Sequence, residues 1–152
     1  MDKVDRKILS LLEDDGRMTI TTLADEARLS ISACHRRLKD LERTGVITGY
    51  SATINPEAIG RGFQAIVFVT MRDGNGRAIR QFEEALDTIP EVLEADRLLG
   101  DPDFLLRVST TDLNAFQKLY DDHLTALPGV LKLSTTLVMK PVVRHPLMQS
   151  GR

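Results

Sequence analysis

Apolar residues recur at helical spacing in the first third of the chain and at strand spacing after it. Val4, Ile8, Leu9, Leu11 and Leu12 make a broad stripe at about 100° per residue. Asp2 is placed to cap that helix, and Gly16 to end it. Leu23, Ala24 and Ala27 predict a second, short helix, in which the small Ala24 lets a neighbour approach closely at a steep angle. Ile31, Cys34, Leu38 and Leu41, at offsets of three, seven and ten, predict a third helix with its apolar stripe facing a core. Ser30 is its expected N-cap and Gly45 its end. Three helices then form a compact bundle, the second and third joined by a tight turn.

Residues 46–54 alternate enough to read as an extended segment, stopped by Asn55-Pro56. The stretch through Gly60 and Gly62 reads as a hinge and as the best domain boundary. Beyond it the chain repeats itself: LDTIPEVL from Leu86 and LTALPGVL from Leu124 match at Leu, at Pro and at the closing Val-Leu, 38 residues apart. Each copy reads as a helix end, a proline that stops it and a strand start. Upstream of the copies, Ile79, Phe82, Leu86 and Ile89 form one helical stripe and Leu113, Phe116, Tyr120, Leu124 and Leu127 another. Strands are expected at 63–72, 92–99, 104–110 and 131–140. The order is β-α-β-β-α-β, a ferredoxin-like sandwich, so the fold class is α+β. Helices cover one face of such a sheet. The other face is expected to carry Val67 or Phe68, Leu106, and Leu137 or Val138, according to register, and a second copy of the same sheet is the simplest cover for it.

Projecting the third helix with its stripe at the back places Arg36 nearly opposite, with Ser32, Ala33, Lys39, Asp40 and Arg43 around the same side and His35 and Arg37 on the flanks. Between Arg28 and Arg43 five Lys/Arg oppose two acids, a balance suited to a groove lined by phosphates. The competing reading is an ordinary solvated cationic face. Charge, turn chemistry and helix spacing coincide in one stretch, which favours DNA. Against it, the turn has Arg28 where this motif often has Gly, at a cost of about 1 kcal/mol for a positive φ.

The 152 residues, 42% hydrophobic and 28% charged, suit one ordinary domain or two small ones. No segment is apolar enough to span a membrane, and the N-terminus, with scattered acids, does not read as a secretory signal. The single cysteine, Cys34, sits on a buried stripe, which argues against a disulfide framework and a zinc site and fits a reducing cytoplasm. Net charge is −2, and the first 60 residues carry nine Lys/Arg against ten Asp/Glu, so nucleic-acid affinity has to be local. A single module would bind weakly, and specific binding is expected to need two or more.

A helix-turn-helix, the linker GYSATINPEAIG and a βαββαβ domain with a GDPDFLL corner together resemble the Lrp/AsnC, or feast/famine, family of prokaryotic transcription regulators. The markers run along nearly the whole chain: Asp5 with Ile8-Leu9, Asp15-Gly16-Arg17, Leu29-Ser30, Arg37-Leu38 with Leu41-Glu42, Gly45-Val46-Ile47, Gly49-Tyr50, Asn55-Pro56, Gly100-Asp101 with Asp103, and Leu127-Pro128-Gly129-Val130. The resemblance implies a winged-helix-like DNA-binding domain at 1–50, a linker strand and hinge at 51–62, an effector-binding and oligomerising domain at 63–142 and a tail at 143–152. It implies dimers through the sheets and higher assemblies such as octamers, double-stranded DNA with imperfect inverted repeats as partner, and an amino acid as effector. Ser32, Ala33, Arg36 and Arg37 are then the groove-facing residues, with Arg28, His35, Lys39 and Arg43 on phosphates. The effector would lie between dimers, at Leu99, Gly100, Asp101, Pro102 and Asp103, with Ser134 and Thr136 on one side of the last strand. Carboxylates there can hold an α-ammonium, and hydroxyls and backbone N–H groups a carboxylate. Gly-Asp-Pro-Asp is equally a good tight turn.

An enzyme is not expected. Asp121, Asp122 and His123 are neighbours in sequence and do not share a helix face, His35 and His145 stand apart, and no Gly-rich phosphate loop or nucleophile-base spacing occurs. No cofactor and no metal is expected. Sirohaem decarboxylases, tetrapyrrole-processing enzymes that resemble the same two-domain family, are the alternative, but they would need a pocket of His and Arg donors, and no such cluster is evident. A sensor acting on protein partners is a third reading, which the exposed Arg36 and Arg37 make less suitable than DNA.

Overall fold

The computed structural model describes residues 1–143 and 147–148. It divides into two units: Met1–Thr53, to which the described residues after Pro141 also belong, and Ile54–Pro141. Three helices make the first, α1 (Lys3–Asp14), α2 (Ile20–Glu26) and α3 (Ile31–Arg43). Each starts on a side chain that accepts backbone N–H groups the helix cannot satisfy. Asp2 and Asp5 form a capping box on α1, Thr19 caps α2, and the Ser30 hydroxyl accepts from the N–H of Ala33 on α3. Ile8, Leu23, Ala24, Cys34 and Leu41 are the buried core.

Ile31 departs from its expected place on the stripe. It is 53% exposed at the first turn of α3, while Cys34, one turn on, is fully buried. Arg28 takes the positive φ of 55° that the turn between α2 and α3 demands. Beyond α3 the expected extended segment forms no strand among the described residues: the N–H groups of Val46 and Ile47 both donate to the Leu41 carbonyl, and Tyr50 donates its hydroxyl to Glu42 at 3.1 Å.

The second unit is a four-stranded antiparallel sheet, β1 (Phe63–Met71), β2 (Val92–Arg97), β3 (Phe104–Thr110) and β4 (Val130–Leu137), in the order β2-β3-β1-β4. Two helices, α4 (Gly76–Leu86) and α5 (Leu113–Leu119), connect the strands; their apolar side chains join the sheet's in one core. Ala65, Val67, Val69, Met71, Phe104, Leu106 and Val108 share that core with Phe82, Phe116 and Leu124. The two repeat copies mark the ends of the helical connections, at Leu86 and Leu124, and bury Ile89 and Leu127 alike. The halves differ between: α5 runs into a π-helical turn, Tyr120–Leu124. Its extra residue brings Leu119 inward with Leu124. Leu113, expected on the stripe, is exposed at the start of α5.

Two further expectations change. Pairing of Val67 with Leu106 and of Phe68 with Leu105 puts Leu106 in the core, so the open face carries Phe68 and Leu105 instead. Leu137 pairs with Ala65 and so lies on the core side. The stretch through Gly60 and Gly62 is not a free hinge either. The Asn55 side-chain carbonyl accepts from the N–H of Glu57 at 3.0 Å at the start of the 3₁₀ turn Glu57–Ile59, Gly60 closes it at φ 72°, and the Arg61 carbonyl accepts from Ser109 Oγ at 2.7 Å. The division between units falls earlier, at Thr53. Most of the expected tail, with His145, lies outside the described residues; within it, the N–H groups of Leu147 and Met148 both donate to the Glu13 carboxylate at 2.6 Å.

Candidate DNA-reading helix and effector cavity

The exposed side of α3 carries Ser32, His35, Arg36, Lys39 and Arg43, with Ala33 half-buried beside them. These cations are not equally available. Lys39 pairs with Glu42 at 2.8 Å and Arg43 with Asp40 at 3.1 Å, both along the helix surface, where such pairs are weak and exchange readily for phosphates. Among the described residues, Arg36 and Arg28 have no acid within ion-pair distance.

Arg37 is committed elsewhere. Its Nη1 donates to Asp2 at 2.8 Å and to Asp5 at 2.7 Å, which fastens α3 to the N-terminus of α1. The Asp5 backbone N–H and then the Arg37 guanidinium hold the Asp2 carboxyl below its ordinary value, while Asp5 and Asp2 push Arg37 up. Arg37, expected among the groove-facing residues, thus already has both carboxylates as partners and bridges α3 to α1. Glu42, with Lys39 on one oxygen and the Tyr50 hydroxyl on the other, is also held below its ordinary value by those two bonds. Burial raises the Cys34 thiol, so the one cysteine stays a neutral core residue.

In the second unit, the corner after β2 reaches over β1. The N–H of Asp103 donates to the Val69 carbonyl at 2.9 Å, and the Asp103 carboxylate accepts from the N–H of Met71 at 2.7 Å. Asp103 therefore anchors the corner, which is its structural task. Asp101, two residues before it, lies 3.4 Å from the Thr70 hydroxyl. Below the corner is a cavity of about 270 Å³ on the open face of the sheet, lined by Phe68, Thr70, Asp101, Pro102, Lys132 and Ser134.

Of the seven expected effector residues, Asp101, Pro102 and Ser134 meet in this cavity. Thr136 is on the same face one pair further along, opposite Ile66. Leu99 is fully exposed, Gly100 supplies a φ of 140° to the corner, and neither lines the cavity. Phe68, Thr70 and Lys132 were not expected. Lys132 shares the face of Ser134 by the strand period of two, a signal present in the sequence. Phe68 and Thr70 need the β1–β4 register, in which they pair with Ser134 and Lys132. The lining offers an anion, a cation, two hydroxyls and an apolar ring.

Asp121, Asp122 and His123 are exposed on the π-helical turn. Among the described residues no His, Cys, Asp and Glu group has metal-site geometry, and no helix is long and apolar enough to cross a membrane.

Two family descriptions match the chain: the Lrp/AsnC ligand binding domain over residues 64–148, and a winged helix-turn-helix DNA-binding domain over residues 1–48. The leucine-responsive regulatory protein of Escherichia coli K12 is 35% identical over 142 residues, 93% of this chain and 87% of its own. Among solved structures, a transcriptional regulator of Neisseria meningitidis in complex with L-Met superposes with a TM-score of 0.90 at 35% identity, covering 99% of this chain and 96% of its own. An AsnC family transcriptional regulator of Agrobacterium tumefaciens gives 0.88 at 28% identity, with 97% and 95% covered.

Proposed function

The chain belongs to the Lrp/AsnC family of transcriptional regulators, with a DNA-binding helix-turn-helix unit and a ligand-binding sheet unit, and on that premise we propose how its residues divide the work. The first turn of α3 enters the major groove, with Ser32, Ala33 and Arg36 at base edges and Arg28, His35, Lys39 and Arg43 on phosphates. Arg37 holds the helix to α1. Because one head is nearly neutral overall, two heads are needed, and the open sheet face around Leu105 pairs with a second copy to supply them. Dimers assemble further into an even-numbered oligomer.

The effector is an amino acid. The observation that carries this is the meeting of Asp101 and Lys132 in one cavity with Thr70 and Ser134. A zwitterion needs one partner of each sign: Asp101 takes the α-ammonium, Lys132 the carboxylate, and the hydroxyls complete both sets of hydrogen bonds. Phe68 and Pro102 are left for the side chain, which favours an apolar effector. The methionine bound to the Neisseria meningitidis regulator is of that kind. Occupying the cavity alters packing between dimers and so the spacing of the heads.

The test is selection of bound duplexes from a random pool by the full-length protein, repeated with each amino acid. A sequence preference with two-fold symmetry, strengthened or weakened by an apolar amino acid, is expected. Retention of duplexes without sequence preference under every condition would sink the regulator reading, and a preference indifferent to all amino acids would sink the effector.

A further inference from the structure

We infer that Ile31 reads a thymine methyl group in the major groove and so sets part of this protein's sequence preference. The inference rests on the reading that α3 enters the groove. Among the residues of α1, α2 and α3, Ile31 is the single large apolar side chain that is exposed, at 53%, while Cys34, one turn on along the same stripe, is fully buried. The stripe thus runs out of core at the turn that a helix-turn-helix presents to base edges.

The neighbours of Ile31 fit that use. Ser30 spends its hydroxyl on the N–H of Ala33 and lies 3.3 Å from the hydroxyl of Ser32, so the first turn places a polar pair beside one branched apolar side chain. No acid stands in that turn to repel phosphates. Every base pair offers hydrogen-bonding groups in the major groove, but the thymine C5 methyl is the apolar one. Isoleucine can neither donate nor accept, so contact with that methyl is how it can discriminate between bases. Its χ1 is nearly fixed in a helix, so little side-chain freedom is lost on contact.

The experiment changes the DNA first. In a duplex selected by the full-length protein, each thymine of a half-site is replaced in turn by 2′-deoxyuridine, which removes the methyl and nothing else. Binding is measured for wild type, Ile31→Ser and Ile31→Val. Wild type is expected to lose about fourfold at one position per half-site, the worth of one buried methyl-sized group. Ile31→Ser should be indifferent at that position and Ile31→Val should keep most of the sensitivity. The wild-type arm does not depend on a variant folding, and melting curves check the two variants. Wild type indifferent to every replacement would overturn the inference, as would Ile31→Ser with undiminished sensitivity, which would hand the methyl to Ala33. If the full-length protein selects no duplex, the placement of α3 in the groove fails and takes this inference with it.

Discussion

The helical unit and the sheet unit reach stability by different routes. Among the described residues, five buried and ten partly buried hydrophobics form the core of the first, fifteen and six that of the second. Both units cap their helices with side chains, but among the described residues the helical unit adds a capping box on α1 and the Arg37 bridge to Asp2 and Asp5 to its smaller buried core. Its working face therefore competes with its scaffold for the same residue types, and a cation on α3 has to be tested for prior engagement before it is given to DNA. The sheet unit keeps chemistry and core apart, since strand alternation sends Val67, Val69 and Leu106 to the helices and Phe68, Thr70, Lys132 and Ser134 to the cavity.

The largest test of that contrast is Phe82→Ala. Phe82 is fully buried and its ring lies 4.6 Å from that of Phe104, so its loss is expected to cost about 3–5 kcal/mol. Urea unfolding followed by hydrogen exchange should show the sheet unit opening first while amides of α1 to α3 keep their protection. Simultaneous loss in both units would dissolve the distinction between them. Next in size, Arg36→Ala should weaken binding to the selected duplex by about 1–3 kcal/mol without moving the melting midpoint. The same substitution at Arg37 should do the reverse, lowering the midpoint because Asp2 and Asp5 lose their partner. Equal effects on stability from both would show that their different pairing is inconsequential.

A smaller effect is expected from Arg28→Gly. Relief of the positive φ gains about 1 kcal/mol, and the greater freedom of glycine in the unfolded chain takes back roughly half. The melting midpoint should rise slightly while the salt dependence of DNA binding falls by about one phosphate contact. An unchanged salt slope removes Arg28 from the phosphate set. The smallest is a pH effect. Asp2 and Glu42 are both held below their ordinary values of 3.8 and 4.5, so their contribution is complete above those values and is lost as pH falls through the depressed ones. The melting midpoint of the helical unit should therefore fall below about pH 4.5, and less so in Arg37→Gln. An identical acid limb in that variant would mean that the bridge does not hold Asp2.

Much of this was legible in the sequence because it depends on period and punctuation. Ser30, Asp2 and Gly45 mark helix ends, and the repeated Leu-Pro-Val-Leu pattern marks where helical connection gives way to strand. What was not legible depends on contacts between distant segments. Ile31 obeys the stripe of α3, yet it is exposed where Cys34, one turn on, is buried, which the period alone does not set. Arg37 looks like Arg36 in sequence and differs through acids more than thirty positions away. On the sheet, Leu105 and Leu106 exchange faces with a one-residue slip, and Phe68 and Thr70 join the cavity through a register that no local pattern sets.

The proposed function makes the cavity under the Asp101 corner the control of what α3 does on DNA. Its most direct test is the affinity of full-length protein for its selected duplex, with and without the responding amino acid, in wild type and in Lys132→Ala. Wild type should shift by about 5- to 150-fold, and Lys132→Ala should bind with equal affinity without the amino acid but show no shift at the concentration that saturates wild type. A full shift in Lys132→Ala would contradict it.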